Sequence, residues 1–285
     1  MTRLVTSISE LRAVCHEARS RGDVVGVVPT MGSLHAGHRS LMRAARADCD
    51  VVVVTVFVNP MQFGPNEDLD RYPRDLDGDV ESCAAEHVDV VFAPSIDEMY
   101  PRGPSATVVH VAGLTDRLCG ASRPGHFDGV TTVVTKLFAI VGRSRAYFGR
   151  KDAQQLAVVA RMTADLDLPI DVIGCPIVRE HDGLAKSSRN AYLSTEHRAV
   201  APTLHRALGQ ARAAFEAGER DAEILVAKVR ATIATRPEFD VDYVECVDAS
   251  SLEPLQVIEA PALLALAARL GSTRLIDNVD LTPTS

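Results

Sequence analysis

Two histidines three residues apart, His35 and His38, stand in Pro29-Thr-Met-Gly-Ser-Leu-His35-Ala-Gly-His38. An apolar run ends just before them and a helical pattern opens at Gly37, so the segment reads as a strand–loop–helix junction. Free backbone N–H groups at a helix start favour phosphate. Imidazoles at this spacing face one loop edge and donate to phosphate oxygens. Gly37 leaves room for a phosphate or an adenine ring to approach the backbone. The plainer alternative is that each histidine only caps the helix or fills a surface niche.

Three further segments carry functional groups. Phe57-Val-Asn-Pro-Met-Gln62-Phe63 closes the strongest apolar run. Ligands of open α/β sheets bind beyond the carboxyl ends of the strands, which would bring Gln62 into a pocket where its amide serves a hydroxy acid without adding charge. Otherwise it satisfies loop backbone. Phe148-Gly149-Arg150-Lys151-Asp152-Ala-Gln-Gln155 is another strand-to-helix turn. Lys151 reaches phosphates as a mobile point charge, and Asp152 either accepts from a ribose hydroxyl or caps the helix. Gln155 lies one turn in, facing the same mouth as Gln62. In Lys186-Ser187-Ser188-Arg189, two hydroxyls and a guanidinium make a clamp that follows charge onto departing pyrophosphate, or else a solvated surface loop.

These junctions need a scaffold, and the chain's patterning supplies one. Up to about residue 175, β-branched runs alternate with amphipathic stretches, as in βα units around a parallel sheet. Strands are expected at 24–29, 51–58, 89–92, 107–111, 145–148 and 170–174, with helices at 37–47, 127–141 and 152–166. After Pro176 the texture changes. Two alanine-rich helices, 201–217 and 221–234, precede three strand-like runs at 241–247, 263–270 and 273–279, a small α+β unit with an antiparallel sheet. The fold class is therefore α/β, a Rossmann-like parallel sheet followed by a smaller C-terminal α+β part.

The 285 residues are 46% hydrophobic and 24% charged, ordinary for a globular chain. A net charge of −8 argues against an extended nucleic-acid or anionic-membrane surface. Six scattered cysteines without a CxxC pair suggest reduced thiols rather than zinc ligands. The first residues carry no signal-peptide pattern, and no apolar run is long enough to span a bilayer. A cytoplasmic protein is expected.

His35-Ala-Gly-His38 resembles the HxGH signature of the nucleotidylyltransferase and class I aminoacyl-tRNA synthetase superfamily. Its ten-residue form is similar to that of the pantothenate synthetase family. Residues 57–63, 70–74 (Asp-Arg-Tyr-Pro-Arg), 123–130 (Arg-Pro-Gly-His-Phe-Asp-Gly-Val), 148–155, 178–190 and 273–278 (Thr-Arg-Leu-Ile-Asp-Asn) resemble further motifs of that family, in the same order. The resemblance implies an ATP- and pantoate-binding domain over 1–176 and a small lid domain over 177–285. It implies a homodimeric ligase condensing (R)-pantoate with β-alanine through a pantoyl-adenylate, releasing AMP and pyrophosphate. Mg²⁺ would ride on the triphosphate, with no metal site of the protein's own. No nucleic acid or membrane is involved.

On this resemblance His38, His35, Lys151 and Arg189 are catalytic. ATP would lie along Met31, Gly32, Ser33, Leu34, His35, Ala36, Gly37 and His38, then Gly149, Arg150, Lys151 and Asp152. It would also meet the backbone of Val178 and the loop Lys186, Ser187, Ser188 and Arg189. Gln62 and Gln155 would hold pantoate. Tyr72 packs near substrate or serves its loop, Arg123 contacts triphosphate and His126 supports its loop. Three residues depart from the family pattern: Arg150 where an acid is common, Ala153 for a bulkier residue, and Lys186 for Met or Leu. Lys186 either adds a phosphate contact or projects into solvent, with solvent favoured. Two rival readings are a nucleotidylyltransferase that stops at its nucleotidyl product and a non-catalytic nucleotide-binding module. The former calls for more Arg or Lys at the acceptor than two neutral glutamines.

Overall fold

The computed structural model describes residues 1–283 other than 66 and 68. The chain opens with β1 (Arg3–Val5), α1 (Ile8–Ser20), β2 (Val25–Thr30), α2 (Ala36–Asp48) and β3 (Val51–Val56). It continues through α3 (Leu76–Ala85), β4 (Val90–Phe92), α4 (Ile96–Met99) and α5 (Cys119–Ser122). Then follow α6 (His126–Val141), β5 (Ser144–Gly149), α7 (Ala153–Asp165) and β6 (Ile170–Cys175). The six strands form one parallel sheet in the order β1-β4-β3-β2-β5-β6. Strand order reverses between β2 and β5, so the crevice beyond their carboxyl ends is where such a sheet receives ligand.

Both faces of this sheet are covered, which explains its near-continuous valine runs. Val28, Val52, Val54, Val91 and Tyr147 face α2 and α3, meeting Leu41, Met42, Ala45 and Cys83. The alternate residues Val27, Val53, Phe92, Ala146 and Phe148 face α1, α6 and α7, meeting Leu11, Val134, Phe138, Val158 and Met162. The period of two along each strand thus sorts one apolar run into two cores.

Residues 107–111, expected as a strand, pair with none. Their backbone bonds go to α6 instead: the Val109 N–H donates to Thr132 Oγ1 at 3.0 Å and the Val109 carbonyl accepts from Thr131 Oγ1 at 2.5 Å. Side-chain hydroxyls on a buried helix have taken the place of a strand neighbour. The periodicity also left β1 and α1 unassigned, although Ser7 followed by Glu10 is a helix-start signal, and the Ser7 hydroxyl does accept from the Glu10 N–H.

The rest of the chain comprises α8 (Thr195–Val200), α9 (Thr203–Glu216), α10 (Ala222–Ile233), β7 (Phe239–Asp248), β8 (Ala262–Leu270) and β9 (Thr273–Leu281). The three strands form an antiparallel sheet, order β7-β8-β9. One of its faces packs Leu264, Leu266, Leu270 and Leu275 against Leu204, Leu208, Phe215 and Leu225 of α9 and α10. The other contributes Tyr243, Val247, Leu263, Ala265 and Ala267 to the large sheet's core. β8 is buried on both faces, hence its run Ala-Leu-Leu-Ala-Leu-Ala-Ala. Polar contacts reinforce this join: Arg274 donates to Ser122, and Arg150 pairs with Asp280 at 3.1 Å.

One close approach positions the turn that carries Gln62. After β3, Asn59 caps a 3-10 turn, Pro60–Gln62, that lies directly on α6. A Cβ on Gly129 would stand 2.3 Å from the Met61 carbonyl oxygen and 2.6 Å from Gln62 Cα. Only glycine permits the contact. Gly129→Ala should therefore cost about 2–3 kcal/mol through overpacking. Gly209→Ala, in α9 with nothing within 4 Å of a new Cβ, should stabilise by about 0.5–1 kcal/mol. Urea unfolding of the two variants compares them; a Gly129→Ala protein as stable as the parent would contradict the packing described.

Candidate active site

The loop between β2 and α2 is held from within. Asp79, a buried carboxylate on α3, accepts from the Ser33 N–H at 3.0 Å and the Leu34 N–H at 2.8 Å. Burial raises its pKa, opposed by these two amide bonds. Thr30 Oγ1 accepts from the Gly32 N–H at 3.1 Å. Gly32 and Ser33 both have positive φ, 82° and 52°, and a Cβ on Gly32 would stand 2.6 Å from Asp79 Oδ2. Asp79 is a loop-holding residue that sequence reasoning missed. It stands 45 residues from Leu34, and no spacing links the two.

His35 is the N-cap of α2. Its Nδ1 accepts from the Gly37 N–H at 3.1 Å, and His38 Nδ1 accepts from the His35 N–H at 3.3 Å, a reciprocal capping box. The rings stack with centroids 4.1 Å apart. Burial, followed by the positive charge of Lys151, lowers the His35 pKa to about 4, and burial followed by His35 lowers that of His38 to about 3. Both imidazoles are therefore neutral near pH 7. With Nδ1 accepting, the single ring proton sits on Nε2, which is left as a donor. The capping alternative holds for both rings, and it leaves Nε2–H of each unused by the cap. The phosphate reading needs revising in one respect: the amides of Gly32, Ser33, Leu34, His35 and Gly37 are already bonded within the protein. Imidazole N–H groups, rather than most of the loop's amides, are the outward donors.

The other segments meet this loop. Lys151 and Asp152 lie on a 3-10 turn, Arg150–Asp152, at the end of β5, close enough to act electrostatically on both histidines. Lys151 Nζ stands 3.6 Å from Asp152 Oδ1. Asp152 occupies the N-cap of α7 without making a side-chain cap bond, so its capping role is not realised. Lys186 also acts on His35, and a Cβ on Gly37 would lie 3.9 Å from Lys186 Cβ. Contrary to the sequence expectation, Lys186 does not project freely into solvent: its ammonium sits 3.5 Å from Glu180. Burial tends to raise the Glu180 pKa, but bonds from Asn190 and Arg198 and the charge of Lys186 leave it lowered. The Arg150 guanidinium turns away, donating to the Gly174 carbonyl and Asp280, so only its backbone stays beside Lys151.

The amide of Gln62 is buried, with Nε2 2.8 Å from the Met31 sulfur and Oε1 accepting from Asn59 Nδ2 at 3.3 Å. Among the described residues its side chain bonds Asn59 and Met31 rather than loop backbone. A thioether is a weak acceptor, which leaves donor capacity facing Met31. Gln154 proves to be structural, bridging the Leu114 and Arg117 carbonyls and the Cys119 N–H. Gln155 lines a cavity of about 480 Å³ together with Lys151, Asp152, Ser187, Arg189 and Asn190. His35, His38 and Gln62 are not among its walls; they reach it through Lys151, Asp152 and His126.

His126 supports its loop as expected. Its Nδ1 lies 2.8 Å from the Gln62 carbonyl and its Nε2 2.8 Å from Arg123 Nη1. Burial, then Arg123, lowers its pKa to about 4. Arg123 is engaged elsewhere than on a triphosphate: it makes two 2.6 Å bonds to Glu67. Burial raises the Glu67 pKa, but the bonds and charge of Arg123 overcome this and leave it lowered. Tyr72 is buried edge-on to Phe63, ring centroids 6.0 Å apart. Val178 accepts from the Lys186 N–H at 2.9 Å, and the Ser187 hydroxyl caps a 3-10 turn, Ser188–Tyr192. Among the described residues no cluster of three or more metal-ligating side chains occurs, and no helix is long and apolar enough to cross a membrane. All six cysteines are buried and unpaired.

A parallel sheet with paired neutral imidazoles, a lysine and the loop of Ser187 and Arg189 gathered near its switch point has the layout of a nucleotide-using enzyme. Residues 3–280 match the family model described as pantoate-beta-alanine ligase. The chain is 56% identical over 275 residues to a pantothenate synthetase of Pelotomaculum thermopropionicum, covering 96% of this chain and 97% of that one. It is 56% identical over 278 residues to one of Moorella thermoacetica, covering 98% of each. A crystal structure of pantothenate synthetase from Thermus thermophilus superposes with a TM-score of 0.92 at 48% identity, covering 99% of this chain and 100% of that one. A pantoate-beta-alanine ligase from Francisella tularensis, complexed with beta-gamma ATP and beta-alanine, superposes at 0.79 and 32% identity, covering 98% and 97%. The chain belongs to the pantoate–β-alanine ligase family, and it is an ATP-dependent ligase joining pantoate to β-alanine.

Two outcomes follow from the site's construction. Asp79→Ala should lower ATP–pyrophosphate exchange by about 10²-fold, the scale of a small misplacement in a reacting site; an undiminished rate would show that the loop keeps its shape without the carboxylate. Three of the histidines with lowered pKa values, His35, His38 and His126, stay neutral in the folded protein while protonating near 6.5 when unfolded. The unfolded chain then binds more protons between about pH 4 and 6.5, so stability should fall as pH drops through that window and be flat above it as far as these groups contribute. Thermal unfolding from pH 5 to 8 measures this, and His35→Gln/His38→Gln/His126→Gln should flatten the slope.

Proposed function

We propose that the crevice runs the ligation in two half-reactions. A carboxylate does not acylate an amine in water, because its oxygen is a poor leaving group. The pantoate carboxylate therefore attacks the α-phosphorus of ATP, forming the pantoyl-adenylate as the bond to pyrophosphate breaks. The neutral amine of β-alanine then attacks the acyl carbon, the acyl C–O bond breaks with its electrons going to AMP, and the nitrogen gives up one proton to solvent as the amide forms. Enzymatic help to phosphoryl chemistry of this kind is mainly positioning and charge stabilisation.

In this reading His35 and His38 offer Nε2–H to the α-phosphate oxygens, and Lys151 adds a point charge. Ser187, Ser188 and Arg189 follow the charge onto pyrophosphate, with Lys186 close to His35 and held by Glu180. Asp152 takes a ribose hydroxyl. Gln62 gives its amide donors to pantoate in place of the Met31 sulfur, and Gln155 meets it from the other wall. The cleft's donors are cationic or neutral rather than clustered carboxylates, so Mg²⁺ enters as part of the nucleotide substrate and supplies charge neutralisation on the triphosphate. The covering of the adenylate against water falls to loop 178–190 rather than to all of 177–285, since β9 is bonded to the Lys151 turn. A cytoplasmic homodimer belongs to the same reading.

The observation that carries it is that Lys151 and Lys186, from two other segments, both act electrostatically on His35, with Lys186 Cβ 3.9 Å from where a Cβ on Gly37 would stand. His38→Ala should lower pantoate-dependent ATP–pyrophosphate exchange by about 10²–10³-fold, the loss expected for one transition-state donor. An unchanged rate would remove His38 from the chemistry.

A further inference from the structure

Two adjacent buried residues near the end of the chain touch two different parts of the proposed ATP site. Asn278 Nδ2 donates to the Arg150 carbonyl at 3.0 Å and to the Lys151 carbonyl at 2.9 Å. Its two N–H bonds thus hold the turn from which Lys151 projects. Asp277 receives Arg179 through both terminal nitrogens, at 2.7 and 2.9 Å, and accepts the Asn278 N–H at 2.8 Å. Arg179 also donates to the Gly183 carbonyl at 3.0 Å. It sits in a hairpin closed by the Lys186 N–H on Val178 and the Glu180 N–H on Leu184, at 2.9 and 2.8 Å. That hairpin leads straight into Ser187 and Arg189.

Neighbouring residues of a strand point to opposite faces of its sheet. Asn278 shares a face with Ile276, which packs on the large sheet's core, and Asp277 shares one with Leu275 and Val279, which pack on the core under α9. The strand is rigid, paired along its length with β8 from Leu270↔Thr273 to Ala262↔Leu281. Lys151 and Ser187 face one cavity from two segments, and β9 is bonded to both segments. Both residues are at most 5% exposed, so neither meets bulk water and each bond is costly to lose.

We propose that Asp277 and Asn278 are positioning residues of the ligase: β9 acts as a spacer that fixes the Lys151 turn with Asn278 and the Ser-Ser-Arg loop with Asp277, setting the gap that an ATP triphosphate must fill. The inference rests on the assignment of Lys151 and Arg189 to phosphate. It separates the two residues by what they serve. Asn278 acts only through Lys151, and Asp277 only through the loop that carries Arg189.

ATP affinity of the full chain, measured by titration calorimetry, tests this as a pair of mutant cycles. Asn278→Ala should weaken ATP binding by about tenfold or more, the scale of a misplaced binding group, and have little further effect in a Lys151→Ala background. It should keep its full effect in Arg189→Ala. Asp277→Asn should show the reverse pattern. If Asn278→Ala is too unstable to purify, Asn278→Ser, which is too short to reach both carbonyls, carries the same expectation. Equal factors in every background, tracking only the fraction folded by thermal unfolding, would overturn the spacer role while leaving the site assignment intact. Lys151→Ala with unaltered ATP affinity would instead bring down the assignment of Lys151, and the spacer with it.

Discussion

Each imidazole at the start of α2 gives its Nδ1 to a backbone N–H, and burial keeps both rings uncharged. That arrangement leaves Nε2 as the ring atom with a proton to donate. A protonated pair stacked at 4.1 Å would repel itself and the nearby lysine. A neutral pair can sit beside Lys151 and still offer two donors. Because Asp79, Thr30 and the histidines themselves occupy the loop's amides, the loop holds its shape before any ligand arrives. Donors fixed in advance stabilise developing charge without reorganising at the moment of reaction.

The same division between holding and reacting recurs in neighbouring residues. Gln154 is spent on backbone groups of residues 114–119, while Gln155 beside it faces the cavity. Arg150 turns to Asp280, while Lys151 stays at the site. Arg123, with the charge to meet a triphosphate, is bound to Glu67 and donates to His126 Nε2 under the Gln62 turn. A residue's type says what it could do; its committed bonds say what is left over for a ligand.

Much of the scaffold was legible because its signals are local. The valine runs of β2 and β3, the apolar stripes of α2, α6 and α9, and the strand–loop–helix joints around His35 and Lys151 all follow from periodicity within about ten residues. Residues 107–111 misled for the same reason: a β-branched run reads as a strand, while Thr131 and Thr132, which satisfy its backbone, lie more than twenty residues on. Lys186 was ambiguous because Glu180, six positions earlier in a hairpin, is its partner only once that hairpin closes.

By itself the sequence determined the alternation of strands and helices, the order of the motifs and the residue types at each strand end. Those depend on neighbours along the chain, where spacing and side-chain period carry the information. Only the tertiary structure decided that Asp79 holds the histidine loop from 45 residues away and that Asn278 holds the Lys151 turn from 127. It also decided that Arg123 is spent on Glu67. Each of these is a hydrogen bond between segments that meet only after the sheets have packed, and such a bond leaves no period and no fixed spacing in the chain.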